Sequence, residues 1–352
     1  MNENVDTSKY APLILFTYNR IGVLKKTVNS LSENYNIENT ELFIFSDGPK
    51  DNRNDILKVN EVREYIKSIK KFTKNVTIYE HENNLGLANS IIFGVNKISK
   101  QYKNFIVLED DLETSKYFIN YMNQSLIRYK NNLKVWSING MGINKSLLEF
   151  LDSYPYNSYF TYRSSSHGWG SWSNRWSQAI WDNNHIIKEI FKFNNYRNFL
   201  KGGRDLRDIL IQQLNHHNDS WWIKWHFTVS KNRGVCLAPK YSHVSAQTDS
   251  GGTHIREYMA ILDNDLSSSQ KDISFPDREV VNSEIAKELS SLFVSKYASN
   301  IKTPKIFIVE KNLFISFLEY LVFITKYFEA KYTIKAKRHK IKGFIKHHLG
   351  KK

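Results

Sequence analysis

Apolar residues in the first third of the chain come in short unbroken runs, each followed by a stretch with helical spacing. PLILFTYNR (12–20), ELFIFSDGP (41–49), NVTIYEH (75–81) and NFIVL (104–108) predict four strands. Helices are predicted over Val23–Leu31, up to about Ile69, after NNLGLANS, and over SKYFINYMNQSLIRY. Strands that lack polar alternation are buried on both faces. Alternating them with helices implies a mostly parallel sheet covered on both sides, an α/β fold. Downstream the texture changes. KVWSINGMGI (134–143) reads as another strand and turn, and YFTYRSSSHGWGSWSNRW (159–176) is dense in Gly, Ser and Trp. Helices are expected over roughly 182–230, then a short strand, a Pro turn and a glycine-rich loop in GVCLAPKYSHVSAQTDSGGTH (234–254). These changes divide the chain into a body over 1–262, a linker with helical character over 263–300, and a helical tail over 301–352.

Parallel sheets bind ligands at the carboxyl ends of their strands. Here those ends read Tyr18-Asn19-Arg20, Ser46-Asp47-Gly48, His81 and Glu109-Asp110-Asp111, a rim polar throughout. The acid triplet has two readings. It is a helix N-terminus, with Thr114 or Ser115 as cap, or it is a cation site built from hard oxygen ligands. The polar company at the neighbouring strand ends favours the second.

Composition narrows the class. The 41% hydrophobic and 14% aromatic content supplies a large core and excludes a disordered chain. One cysteine, Cys236, leaves no internal disulfide, which suits a reducing compartment. No signal peptide is recognised at the start of the sequence. The net charge of +15 is concentrated at the end: Lys331 to Lys352 holds nine Lys/Arg and no acid. Subtracting nine from fifteen leaves about +6 for the rest, which gives no warrant for a nucleic-acid-binding core. In NLFISFLEYLVFITKYFEA (312–330), Phe314, Phe317, Leu318, Leu321, Ile324 and Phe328 recur at helical spacing. Glu319 and Lys326 interrupt the run before it reaches spanning length. The expectation is an interfacial helix on an anionic membrane surface, at the cytoplasmic face. The alternative is a helical cap on the body with a solvated end.

The ordered series TYNR, SDGP, NLGLANS, LEDDLE, WSINGMG and HGWGSW resembles the nucleotide-sugar glycosyltransferases of the glycosyltransferase A fold. It is most similar to bacterial family 2 enzymes and their N-acetylglucosaminyltransferase I-like relatives, over about residues 11–255. That resemblance implies a Rossmann-like, mostly parallel sheet with helices on both faces, plus the C-terminal basic extension. It implies Mn²⁺ or Mg²⁺ on Asp111, with Glu109 and Asp110 facing the ribose and sugar of a nucleotide-diphosphate sugar, a UDP-sugar first. Thr17, Arg20, Asp47, Gly86 and Asn89 would meet the nucleotide. Gly168 and Gly170 would let backbone approach substrate, and Trp169 would stack on a sugar face. His254 would reach the phosphates or the metal from the glycine-rich loop. The acceptor would be a glycan or a lipid-linked sugar of a bacterial surface polysaccharide, and nucleic acid is not an expected partner.

Inverting displacement needs a carboxylate near the acceptor hydroxyl. The resemblance points to Asp219, ahead of the APKYS strand, with Asp182 as the second candidate; a helix N-cap is the competing role for Asp219. Two other classes stay open. A sugar nucleotidyltransferase needs a glycine-rich loop after the first strand, where TYNRIGVLKK offers one glycine. A basic membrane or nucleic-acid adaptor would reuse the fold without catalysis.

Overall fold

The computed structural model describes residues 10–69, 72–144, 147, 150–247, 265–293 and 316–331. Three strand–helix units and a fourth strand open the described residues: β1 (Leu13–Thr17), α1 (Ile21–Ser32), β2 (Glu41–Ser46), α2 (Arg53–Ser68), β3 (Asn75–Glu80), α3 (Leu87–Ser99) and β4 (Asn104–Glu109). After a three-residue strand β5 (Leu112–Thr114) come α4 (Phe118–Tyr129), β6 (Val135–Asn139), α5 (Phe150–Ser153), β7 (Ser158–Thr161), β8 (Trp169–Trp172) and α6 (Ser173–Trp176). A helical stretch follows, α7 (Asn183–Ile190), α8 (Phe193–Leu200), α9 (Asp205–Leu214) and α10 (Trp221–Lys231), then β9 (Val235–Pro239) and β10 (Val244–Ala246). Helices α11 (Ser283–Leu292) and α12 (316–331) complete the described residues.

Eight strands form one sheet in the order β3-β2-β1-β4-β8-β6-β9-β7. It is parallel except for β8, antiparallel to β4 and β6, and β7, antiparallel to β9. Both faces are buried except along the edge strand β3, which is half-exposed, and this explains the unbroken apolar runs of β1, β2 and β4. Leu13, Leu15, Ile106 and Leu108 pack on one side against α1 and α4. Ile14, Phe16, Phe105 and Val107 pack on the other against α3 and α10. Helices α7, α8 and α9 form a further layer around Ile223 and Phe227 on the outer side of α10.

The acid triplet does not start a helix. β5 follows it directly and pairs antiparallel with β10, and the next helix begins only at Phe118. Because β5 is held by a partner more than a hundred residues away, local pattern alone does not reveal it.

The tail expectation also changes. α12 docks on the body: Phe323 and Tyr327 are buried among Tyr196, Phe199 and Ile190. Arg204 pairs with Glu319 at 3.2 Å, and the Tyr196 hydroxyl donates to the Glu319 carbonyl at 3.1 Å. The buried stripe is Tyr320, Phe323, Ile324 and Tyr327, rotated away from the stripe read from the sequence. Phe314 and the basic residues 332–352 lie outside the described residues.

Candidate active site

Four strand ends and two loops meet at the carboxyl edge of the sheet. β1 ends in Thr17 and runs into Tyr18-Asn19-Arg20, where a single carboxylate holds the first two side chains. Asp55, in the first turn of α2, accepts from the Tyr18 hydroxyl at 2.5 Å, Asn19 Nδ2 at 2.5 Å and the Lys50 N–H at 2.6 Å. Burial pushes the Asp55 carboxyl up, but these donors outweigh it and hold the group below its usual range. The sequence reading missed Asp55. Its signal was the N-cap pattern: Asn52 caps α2 by accepting the Asp55 N–H at 2.9 Å, and Asp55 stands three residues later.

Next to them, Arg20 bridges two acids of the triplet. Its Nη2 pairs with Asp110 Oδ1 and lies 3.1 Å from Asp111 Oδ2. Asp110 is buried and also accepts the Tyr18 N–H at 3.3 Å. Burial lifts the Asp110 carboxyl to about 6 despite Arg20, and Asp111 adds to the lift. Burial, then Asp111 and Asp110, push Glu109 well above the ordinary glutamate value. Three clustered carboxylates thus face one guanidinium, and that imbalance is what a divalent cation would relieve. Among the described residues no group of three His, Cys, Asp or Glu converges to cage an ion. Hard oxygen donors with surplus negative charge suit an ion shared between one side chain and phosphate oxygens.

Asp47 has a different task from the one expected. Its carboxylate accepts from the Gly48 N–H at 2.9 Å, the Leu85 N–H at 2.8 Å, the Gly86 N–H at 3.0 Å and Asn84 Nδ2 at 3.2 Å. Four donors fill the capacity of a carboxylate, so Asp47 holds the NNLG loop in place, leaving little for a nucleobase. Gly86, with φ +76°, turns that loop into α3, and Asn89 folds its amide back onto the Leu85 carbonyl at 3.0 Å. Asp47→Ala is expected to strand these N–H groups and cost about 2 kcal/mol or more in a urea titration. A midpoint like that of the unsubstituted protein would show that the loop is held by something else.

Thr17 is buried at the end of β1, and its hydroxyl has no hydrogen-bond partner among the described residues. Gln247 is a second residue the sequence did not flag. Its N–H donates to the Asp111 carbonyl at 2.9 Å and its amide to the Val23 carbonyl at 3.0 Å. The glycine-rich loop therefore departs from beside the triplet. His254 itself lies outside the described residues.

The tryptophan-rich segment corrects two expectations. Trp169 is fully buried, stacked on Trp221 at 5.0 Å and edge-on to Phe105 at 5.6 Å. Its ring is core and cannot lie on a sugar. Gly168 has φ +59°, and a Cβ there would sit 2.6 Å from Val244 Cγ2. A Cβ on Gly170 would meet Met122 at 2.8 Å. Both glycines are required by the protein's own packing, where β8 lies close under α4 and β10.

The two candidate bases separate. Asp182 caps α7, accepting the His185 N–H at 2.7 Å, and no described hydrogen bond or ion pair links it to the triplet. Asp219 is not a cap, because Ser220 caps α10. Helix α10 leads into the start of β9, so its N-terminus, with Asp219 beside it, lies toward the carboxyl end of the sheet. Trp222 Nε1 donates to the Ser164 carbonyl at 3.0 Å, tying this turn to the 164–167 loop that precedes Gly168. The Asp219 side chain is 61% exposed, with Lys224 Nζ at 3.7 Å, so its carboxylate can meet a ligand. Asn139, Ser164, Ser165, His167 and Trp222 line a cleft on this flank.

A family model described as glycosyl transferase family 2 matches residues 13–195, just over half of the 352 residues. No curated protein matches the chain. Among solved structures, the mannosyltransferase PcManGT from Pyrobaculum calidifontis, in complex with GDP-Man and Mn²⁺, is 12% identical with a TM-score of 0.33. That match covers 47% of this chain and 46% of the mannosyltransferase, less than half its length. S. aureus TarS 1–349 is 10% identical over 92% of this chain and 81% of that one, with a TM-score of 0.43. A UDP-glucose pyrophosphorylase complexed with UDP-glucose is 12% identical over 66% and 91%, with a TM-score of 0.33. Superpositions this loose say nothing about chemistry.

Proposed function

Since the chain belongs to glycosyl transferase family 2, and its sheet is that of the glycosyltransferase A fold, we propose that it is an inverting transferase. The donor is a nucleotide-diphosphate sugar, a UDP-hexose or UDP-N-acetylhexosamine, and the acceptor a glycan or lipid-linked sugar of a surface polysaccharide. The observation that carries this reading is the triplet at the end of β4, three carboxyl groups with one guanidinium, paired to Asp110 and Asp111, set against them. Asp111 would hold Mn²⁺ or Mg²⁺ together with the donor diphosphate. The ion would supply charge stabilisation for the departing nucleotide without proton transfer.

The chain's own residues do the rest. Arg20, between Asp110 and Asp111, would add positive charge beside a bound diphosphate. Asp110 and Glu109 line the sugar side, and the loop held by Asp47 presents the first turn of α3 to the nucleotide. His254 would close over the phosphates from the loop that leaves at Gln247. Asp219 accepts the acceptor hydroxyl proton as that oxygen bonds the anomeric carbon. The bond from that carbon to the diphosphate oxygen breaks, and the nucleotide diphosphate leaves with the electron pair.

Incubation with a panel of nucleotide-sugars, Mn²⁺ and a short glycan acceptor tests the reading through nucleotide diphosphate release and product mass. Nucleotidyl transfer with pyrophosphate release would replace it. Asp219→Asn keeps size and removes the proton acceptor, so donor binding is expected to persist while transfer falls by roughly 10²-fold or more. Near-normal transfer in that variant would move the base to another residue.

A further inference from the structure

We propose that the outward face of α12 is a docking surface for the anionic face of a lipid bilayer, built into the folded body. It deepens the membrane placement expected from the basic tail and rests on the glycosyltransferase reading only for its biological purpose. α12 carries large apolar residues on both sides. Its inner stripe is consumed by the body, with Phe323 and Tyr327 buried. On the other side Leu318, Leu321 and Val322 stand 41 to 44% exposed at i, i+3, i+4 spacing, with Thr325 and Glu329 on the same face. Phe328, 39% exposed, stands at its edge, 6.2 Å from Phe191.

Charge identifies the occupant. Residues 332–352 follow α12 directly and carry eight Lys/Arg and no Asp or Glu. A second copy docked through the same face would bring two such segments together, and like charges would oppose the pairing. A nucleic acid would match the charge and leave the apolar face unused. An anionic bilayer takes both, since headgroups attract the cations and the acyl boundary receives the leucines. No described helix is long and apolar enough to cross a membrane. The geometry therefore points to a helix lying in the interface.

The test uses the full chain and vesicles of phosphatidylcholine with or without phosphatidylglycerol. Wild-type protein is expected to sediment with the anionic vesicles. Leu318→Glu combined with Leu321→Glu is expected to lower that partitioning by at least about tenfold at unchanged melting temperature. Equal partitioning of the two proteins would overturn the proposal, leaving binding to the basic residues alone. A second readout avoids any loss of fold. Cys236 is buried, so an environment-sensitive dye attached at Val322→Cys labels one site. Its emission should shift to the blue with anionic vesicles. An unshifted emission on vesicle-bound protein would sink the idea. So would a protein dimer that the glutamates dissociate while vesicles go unbound, since the occupant would then be a second copy. Neither readout needs sugar transfer, so an inactive enzyme that still docks would separate this proposal from the catalytic one.

Discussion

Asp111→Ala is expected to abolish the thermal stabilisation that Mn²⁺ and a nucleotide diphosphate give together, and to lower sugar transfer by on the order of 10²–10³-fold. The argument is one of charge. Asp110 is buried and engaged by Arg20 and the Tyr18 N–H, whereas Asp111 is the more exposed partner, with a 19% exposed side chain. Asp111 is therefore the carboxylate from which an incoming ion can take over. Ion and diphosphate hold each other in place, so losing the protein ligand weakens both together. The ligand-free variant should not melt lower by much, because the substitution removes one of three crowded like charges and leaves Arg20 with Asp110. Differential scanning fluorimetry with and without Mn²⁺, at fixed nucleotide, reads this directly. A surviving Mn²⁺-dependent shift would assign the ion to other residues and leave the triplet as a partner for Arg20.

Trp169→Ala is expected to cost about 3–5 kcal/mol, a large share of the roughly 5–15 kcal/mol that holds a domain together. The indole is fully buried and touches Trp176, Trp221, Trp225 and Phe105. It fills the space between β8 and α10, and alanine would leave a cavity across that layer. Trp169→Phe keeps most of the apolar volume and drops an indole N–H that has no partner among the described residues, so its cost should be smaller. Urea unfolding of the two variants, followed by circular dichroism, orders them. If Trp169→Ala melts like the wild type while its KM for the donor or acceptor rises, the ring meets substrate after all and the core assignment fails.

The sequence by itself determined the sheet and its direction. Runs such as Leu13–Thr17 and Asn104–Glu109 have side chains buried on both faces, and only a sheet covered by helices satisfies unbroken apolar strands. The position of the acids was legible for the same reason, since a buried strand must deliver its first charges at its end. What each polar residue does there was decided in three dimensions. Asp47 and Asp111 look alike in sequence, each closing a strand end. One has its lone pairs filled by the N–H groups of a loop thirty-eight residues away; the other shares a single guanidinium and retains capacity for an ion. Asp182 and Asp219 both follow tryptophan-rich or polar stretches, yet one caps a helix and the other stands open to solvent. The role of Trp169 and the buried stripe of α12 differ from those expected because burial depends on what packs opposite. Local periodicity shows that an apolar face exists, and only long-range contacts decide which face is covered.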